Sequence, residues 1–142
     1  MGALAIVQSP HDFIGGVYPA KVPDKQKVFQ TRNVRESASQ NLIETDGVPG
    51  GFFRIKRKAL ERMKEAYPEM ACQHRGYQYH LLFEHIILED RTPLGEDYAF
   101  CERWRRMGEK IFIYPDIDFK HCGRGVWEGN MISDDPRLNI VE

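Results

Sequence analysis

The most regular hydrophobic pattern in the chain lies just before Pro68. Apolar residues recur there at helical spacing, with charged residues between them: Ala59, Leu60, Met63, Ala66 and Tyr67. This spacing brings the apolar side chains onto one face, so the pattern predicts an amphipathic helix. Proline lacks a backbone N–H and interrupts helices, and we therefore expect the helix to end before Pro68.

A second helical face follows the turn sequence Thr92-Pro93-Leu94-Gly95. Its apolar positions are Phe100, Cys101, Trp104 and Met107. The pattern predicts a helix over about residues 96–107, and Gly108 is typical of the residue that terminates one. A shorter apolar stretch at residues 3–8, stopped by Pro10, predicts the last turns of another helix.

Short apolar runs bounded by glycine and proline predict strands around these helices. They cover residues 13–18, 42–43, 52–55, 77–88 (one or two strands) and 110–114, with a weaker signal at 117–120. Residues 30–41 are polar and predict a surface loop, whereas residues 123–142 predict a glycine-rich loop followed by a poorly ordered tail. The alternation of strands and helices indicates a layered α/β or α+β domain.

Composition narrows the class of protein. The 142 residues are 42% hydrophobic and 11% aromatic, with a formal net charge of -1, which suits one globular domain with its own core. A disordered chain would have fewer aromatic residues and more net charge, and a nucleic-acid binder that works by charge alone would be basic. The chain has three cysteines, an odd number that does not suggest a disulfide framework. It shows no signal-peptide pattern and no apolar run of about 18 residues. We therefore expect a reducing, cytoplasmic location.

Gly95-Glu96-Asp97 at a helix start is the sharpest candidate for chemistry. Acidic residues are favoured at this position because they cap free N–H groups and face the positive end of the helix dipole. A carboxylate held there in a cleft can also act as a general base and take a proton from a sugar hydroxyl. The residues alone leave both interpretations open.

Other segments are weaker candidates. His121 lies between a predicted strand and a glycine-rich stretch, where a metal or phosphate could be covered by a lid. Asp116 and Asp118 would share one face of a strand, but this pattern is also common in surface turns. Gly50-Gly51 indicates a tight turn or a close approach of the main chain to a ligand. The histidines and cysteines lack the paired short spacing of a zinc site.

Taken in order, several segments resemble the C-terminal, acceptor-side half of GT-A type glycosyltransferases, which move a sugar from a nucleotide-sugar to an acceptor. The resemblance covers residues 10–130. It depends on the order and spacing of several segments and not on any one of them. The segments are Asp12-Phe13-Ile14-Gly15-Gly16-Val17-Tyr18, Gly50-Gly51-Phe52-Phe53-Arg54-Ile55, Gly95-Glu96-Asp97-Tyr98 with Trp104, Ile113-Tyr114-Pro115 and His121-Cys122-Gly123.

The resemblance implies a partial GT-A (Rossmann-like) α/β domain over residues 11–130, with a mixed sheet and two main helices, between a short remnant (1–10) and a tail (131–142). It also implies roles for individual residues. Asp97, or failing that Glu96, would be the catalytic base, and His121 would bind the divalent cation, Mn²⁺ or Mg²⁺, that holds the donor diphosphate. The cleft for donor and acceptor would be lined by Gly50, Gly51, Phe52 and Tyr18, with Trp127 in a loop that closes over the donor.

The nucleotide-binding half of such enzymes, which ends in an Asp-x-Asp strand, has no counterpart before Asp12. The sequence therefore predicts a glycosyltransferase-like domain that needs this half from elsewhere, with a nucleotide-sugar and a carbohydrate or glycoconjugate acceptor as substrates. We expect the face left open to associate with another copy or a complementing chain. The alternative is a non-catalytic carbohydrate-binding or interaction module around Gly51, Tyr18 and Trp127. A third hypothesis is an unrelated small α/β protein.

Overall fold

The computed structural model of the chain describes residues 2–22, 28–36 and 41–137. The helices in this part are α1 (Gly2–Gln8), α2 (Arg57–Ala66), α3 (Glu96–Arg106) and α4 (Met131–Asp134), with a 3₁₀ turn at Pro68–Met70. The strands are β1 (Phe13–Gly15), β2 (Arg35–Glu36), β3 (Ile43–Thr45), β4 (Phe53–Ile55), β5 (Ala71–His74), β6 (Tyr77–His80), β7 (Ile86–Ile87), β8 (Pro93–Leu94), β9 (Ile111–Ile113), β10 (Phe119–Cys122) and β11 (Val126–Gly129).

A five-stranded mixed sheet in the order β2-β3-β9-β1-β4 forms the centre of the fold. Strand β1 runs parallel to β9 and antiparallel to β4, and β3 is antiparallel to both β9 and β2. Three two-stranded hairpins, β5-β6, β7-β8 and β10-β11, lie outside this sheet. The predicted mixed α/β class with a mixed sheet is confirmed.

Alternation along the strands divides the apolar side chains between the two faces of the sheet. Phe13 of β1 and Ile111 and Ile113 of β9 join the main core, together with buried residues of α2 and α3. Ile14, the next residue of β1, is also buried, and with Ala5 of α1 it lines a cavity of about 370 Å³. Helices therefore cover both faces of the sheet, as expected for a layered α/β domain.

The two main helices were predicted, and most of their buried positions belong to the apolar pattern; Ala66 of that pattern is exposed, and Arg103, outside it, is buried. Ala59 and Met63 of α2 are fully buried, as is Phe100 of α3, whose ring packs edge-on against Phe13. The Tyr67 hydroxyl donates to the Arg103 carbonyl at 2.7 Å and joins the end of α2 to α3. In the described part of the chain, no helix has both the length and the apolar character needed to cross a membrane.

Three local predictions were wrong. Within the predicted loop 30–41, Arg35–Glu36 form β2 because β3 offers a free edge to pair with, while residues 37–40 lie outside the described part. Ala71–His74 form a strand that the sequence did not indicate. The predicted loop and tail after residue 122 contain β11 and α4, and Met131 is fully buried in the core, so residues 126–135 belong to the folded domain.

Candidate functional site

Asp97 connects the start of α3 to the Gly50-Gly51 turn. Gly95 precedes the helix and provides no side-chain cap, so the side chain of Asp97 supplies acceptors at this end. Its Oδ1 accepts from the amide of Tyr98 at 2.8 Å, and its Oδ2 accepts from the amide of Gly50 at 2.9 Å. Each carboxylate oxygen can accept a second hydrogen bond, so Asp97 keeps acceptor capacity for a ligand hydroxyl.

Glu96 is placed differently from its neighbour. Its side chain is 69% exposed and lies 3.8 Å from Nε2 of His85, which is equally exposed. Such a surface contact contributes little free energy. The structure therefore separates the two acidic residues: Asp97 is fixed against the Gly50-Gly51 turn, and Glu96 extends into solvent.

The Gly50-Gly51 turn is held from its other side by Tyr18. The amide of Gly51 donates to the Tyr18 hydroxyl at 3.2 Å. A Cβ atom at Gly51 would lie 2.6 Å from that hydroxyl oxygen, whereas one at Gly50 would lie 3.5 Å from Cβ of Asp97, an ordinary contact. A side chain at position 51 would therefore have to displace the Tyr18 ring, whereas position 50 has room for one.

Two tyrosines near Asp97 keep their protons at neutral pH. Burial, with the negative charge of Asp97 nearby, raises the pKa of Tyr98 to about 12. Burial also raises the pKa of Tyr18, with a smaller contribution of the same sign from Asp97, although the hydrogen bond from Gly51 acts against it. Because Tyr18 accepts from Gly51 through its oxygen, its own O–H proton is free for donation to a ligand.

His121 packs against Tyr18 from β10. The two rings meet edge to face, with their centroids 4.6 Å apart. Nδ1 of His121 lies 2.8 Å from the carbonyl oxygen of Pro19, which can only accept, so Nδ1 carries the proton. This contact fixes the tautomer of the neutral ring and leaves the lone pair on Nε2, the arrangement that a metal-binding or base histidine needs.

Two phenylalanine rings, Phe52 and Phe119, pack next to Tyr18. The ring of Phe52 meets that of Phe119 at 5.2 Å, and Phe119 also lies near Tyr18 at 6.1 Å. Both Phe rings rest on Gly16, where a Cβ atom would be 2.7 Å from Phe119 Cζ. Phe119 was missed in the sequence, although its spacing of two from His121 on a strand could have placed both on one face.

Trp127 lies in a hairpin and not in the predicted flexible loop. It is opposite His121 in the β10-β11 register, and its indole N–H donates to the Val22 carbonyl at 2.9 Å. Gly123 and Gly125 are part of the tight connection of this hairpin, where the Gly123 amide donates to the Gly125 carbonyl. The glycine-rich composition therefore reflects a turn between paired strands.

The donor set for a metal ion is incomplete in the described residues. His121 offers one ligand, Nε2, but no group of three or more His, Cys, Asp or Glu side chains in the described part could hold a metal ion. Asp116 and Asp118 instead both accept from the Asn130 amide, each at 3.1 Å. The described residues do not by themselves fit a divalent cation, and the predicted Mn²⁺ or Mg²⁺ stays a prediction of the resemblance.

The structure thus brings Asp97, the Gly50-Gly51 turn, Tyr18 and His121 into one chain of contacts. Phe52 is connected to Tyr18 through Phe119, and Trp127 is the cross-strand partner of His121. Glu96 is adjacent to this chain but takes no part in it. Neither a family model nor a curated protein nor a solved structure matches the chain. The function therefore has to be argued from this geometry.

Proposed function

We propose that this domain is the acceptor-side part of a GT-A type glycosyltransferase and that Asp97 is its catalytic base. The observation that supports the proposal is the contact chain from Asp97 through the Gly50-Gly51 turn and Tyr18 to His121. Four separate segments of the sequence contribute to it. They are four of the five segments that carry the resemblance, and convergence of this kind is what a shared active site requires.

The proposed reaction moves a sugar from a nucleotide-sugar to an acceptor hydroxyl. Asp97 takes the hydroxyl proton as the acceptor oxygen forms a bond to the anomeric carbon, and the bond from that carbon to the nucleotide diphosphate breaks. The two amide hydrogen bonds hold the Asp97 carboxylate in one orientation, as a general base needs. The Tyr18 O–H, which lies at the other end of the turn, can donate to a substrate oxygen.

The purely structural interpretation is that Asp97 only fastens the start of α3 to the turn. The same two hydrogen bonds would serve that role, and they do not distinguish it from catalysis. The exposure of Gly50 and Gly51 at the surface favours a functional role, because a purely structural clasp needs no access for substrate.

Transfer of sugar to an acceptor tests the proposal. The chain, alone and mixed with a candidate N-terminal nucleotide-binding half, is incubated with a panel of nucleotide-sugars, Mn²⁺ and neutral oligosaccharide acceptors, and release of the nucleotide diphosphate is measured. We expect acceptor-dependent release with at least one donor once both halves are present. Release that never depends on the acceptor would contradict the proposal.

A second candidate is a carbohydrate-binding module without catalysis. The incomplete donor set for a metal ion in the described residues favours it. Such a module would bind glycans equally well after metal chelation and would ignore nucleotide-sugars. The transferase would instead move a sugar to the glycan when the donor is present. The transfer assay therefore separates the two candidates.

A further inference from the structure

Exposed apolar side chains are concentrated on the segment between α2 and α3. Four of them form what we call the aromatic platform: Tyr77, Tyr79, Leu81 and Phe83, each between 42% and 69% exposed. Single exposed apolar residues are normal, but a contiguous group of this kind marks a binding surface. Nothing in the catalytic proposal uses this group.

The register of the β5-β6 hairpin places the platform on one face. Tyr77 and Tyr79 alternate along β6 and pair with His74 and Cys72 of β5, so these four side chains point the same way. Leu81 follows, held by a hydrogen bond from its amide to the Met70 carbonyl at 3.0 Å. The two tyrosines of the platform therefore lie on paired strands, and Leu81 and Phe83 follow them in the connection to β7.

The platform borders a cleft beside α3. Cys72 and Leu81 line this cleft, of about 430 Å³, and Arg103 and Arg106 of α3 form its other wall. Arg103 is buried, with 6% of the residue exposed. Its guanidinium donates to the carbonyls of Leu82 at 3.0 Å and Glu84 at 2.6 Å. The arginine thus fixes the segment that follows the platform against the helix.

That segment leads from the cleft to the acidic residues at the start of α3. Phe83 stacks on Phe100 with centroids 4.3 Å apart, and His85 reaches Glu96. Arg103, Phe100 and Glu96 are spaced by three and four residues and so share one helix face, about 10 Å long at 1.5 Å per residue. Residues 82–85 cover this face, and the exposed side chains of Phe83, Glu84 and His85 form the surface between the platform and the Asp97 end of α3.

The chemistry of the surface indicates a neutral carbohydrate. On the face that carries Tyr77 and Tyr79, the polar groups are the two tyrosine hydroxyls and the imidazole of His74. Arg75 and Glu84 cancel in charge between residues 71 and 87. In the adjoining cleft Glu69 offsets one arginine, and Arg106 pairs with Glu102. Aromatic faces next to hydrogen-bonding groups suit a ligand with an apolar face and a polar edge, as a sugar ring has. The lack of net charge matches an uncharged sugar better than an acidic one.

We infer that the aromatic platform is the acceptor subsite of the domain and that it binds a neutral oligosaccharide, an inference that rests on the proposed function. The sugar rings stack on Tyr77, Tyr79 and Phe83, and the chain directs its reacting end toward Asp97. A second copy of the protein or another protein are the competing occupants. Either would need about 800 Å² on each side with an apolar centre, and four partly exposed side chains are too few to supply it.

Calorimetric titration with neutral hexasaccharides (glucan, chitin, xylan and mannan fragments) and an acidic one (polygalacturonate) tests the inference. We expect at least one neutral hexasaccharide to bind, and the double substitution Tyr77→Ala, Tyr79→Ala to weaken it at least tenfold. Both side chains are exposed, so the variant is expected to fold, and its thermal midpoint checks this. The matched control, Val126→Ala with Ile132→Ala, removes two other exposed apolar side chains and should bind as the unsubstituted chain does.

Three results would each overturn the inference. The first is binding of the acidic ligand alone, and the second is an equal loss of binding in the control variant. The third is light scattering that shows a dimer which the tyrosine variant converts to a monomer.

Failure of the platform assignment and failure of the catalytic proposal give different patterns of binding and transfer. If transfer depends on Asp97 while the tyrosine variant keeps the acceptor KM, the platform assignment is wrong and the function stands. If hexasaccharides bind through the tyrosines and no transfer occurs, the platform stands and the catalytic function is wrong.

Discussion

At Gly51 the main chain passes so close to the Tyr18 hydroxyl that no side chain fits between them. The substitution Gly51→Ala would put a methyl group 2.6 Å from that oxygen. We expect it to displace Tyr18 from the turn and to lower the free energy of unfolding by about 1–3 kcal/mol, as overpacking does. Urea unfolding measures this.

Gly50→Ala is the matched control for that change. Its Cβ would meet Asp97 Cβ at 3.5 Å, which is an ordinary contact, so we expect a loss of less than about 0.5 kcal/mol, as at tolerant surface sites. An equal loss at both positions would show that Tyr18 does not constrain the turn.

Asp46 is one of the carboxyl groups through which we expect low pH to weaken the fold. Burial alone would raise its pKa, but hydrogen bonds from Asn33 and Arg35 and the charge of Arg105 outweigh burial and hold it below 3.8. A carboxyl with a lowered pKa stabilises the folded state above its unfolded pKa, and that stability is lost as the pH falls through the folded value. Arg35 and Arg105 lie 2.6 Å and 3.0 Å from its Oδ1.

We therefore expect the free energy of unfolding to fall more steeply between about pH 5 and pH 3 in the unsubstituted chain than in Asp46→Asn. The comparison requires urea unfolding at several pH values in that range. Since Asn does not titrate, the difference between the two curves isolates this residue. Parallel curves would mean that Asp46 does not contribute to the acid sensitivity.

Among the elements, α3 makes the most varied contacts. It packs one face into the core, contacts the Gly50-Gly51 turn through Asp97, and holds residues 82–84 through the buried Arg103. The substitution Arg103→Met removes the donor to the carbonyls of Leu82 and Glu84. We expect a loss of about 1–3 kcal/mol, the cost of leaving buried carbonyls without a partner. Hydrogen exchange at residues 82–85 should also become faster.

Arg106→Met is the control for this prediction, because Arg106 lies on the same helix but its side chain is 51% exposed, and its partner Glu102 also pairs with Arg105. Exposed ion pairs contribute little, so a change within about 0.5 kcal/mol is expected. If residues 82–85 exchange at the same rate in both variants, Arg103 does not hold this segment.

The helices were predictable because their signals are local. The spacing of Ala59 and Met63, and of Phe100 and Trp104, is visible in the sequence and is also the buried face in the structure. The hairpins were harder to predict, because the pairing of β2 with β3 and of β10 with β11 depends on a neighbouring strand and not on composition. Glycines at positions 123 and 125 suggested a loop for the same reason.

For the site, the sequence predicted which residues carry chemistry but not how they meet. Gly95 before two acidic residues indicates a helix start, and Asp97 is indeed held there. Its contact with Gly50, 47 positions away, has no local signal, and neither has the burial of Arg103, whose partners are carbonyls of a distant segment. The resemblance grouped the segments of Asp97 and Gly50 in advance, but it did not include Arg103 or residues 82–84.

At the scale of the whole molecule, the five-stranded mixed sheet is the element that a complementing half would extend. β2 and β4 are the edge strands of this sheet, and they are where the predicted association with a complementing half would extend it. The account depends on Asp97 acting as a base, not only as the fastening between α3 and the Gly50-Gly51 turn.

The most direct test compares Asp97→Asn with Glu96→Gln in the reconstituted transfer assay, with thermal unfolding measured in parallel. We predict that Asp97→Asn lowers kcat by about 10²–10⁴-fold with a much smaller change in acceptor KM, as loss of a general base does, while Glu96→Gln stays within about threefold, since its side chain is exposed to solvent. A folded Asp97→Asn protein that transfers sugar at the rate of the unsubstituted chain would contradict the account.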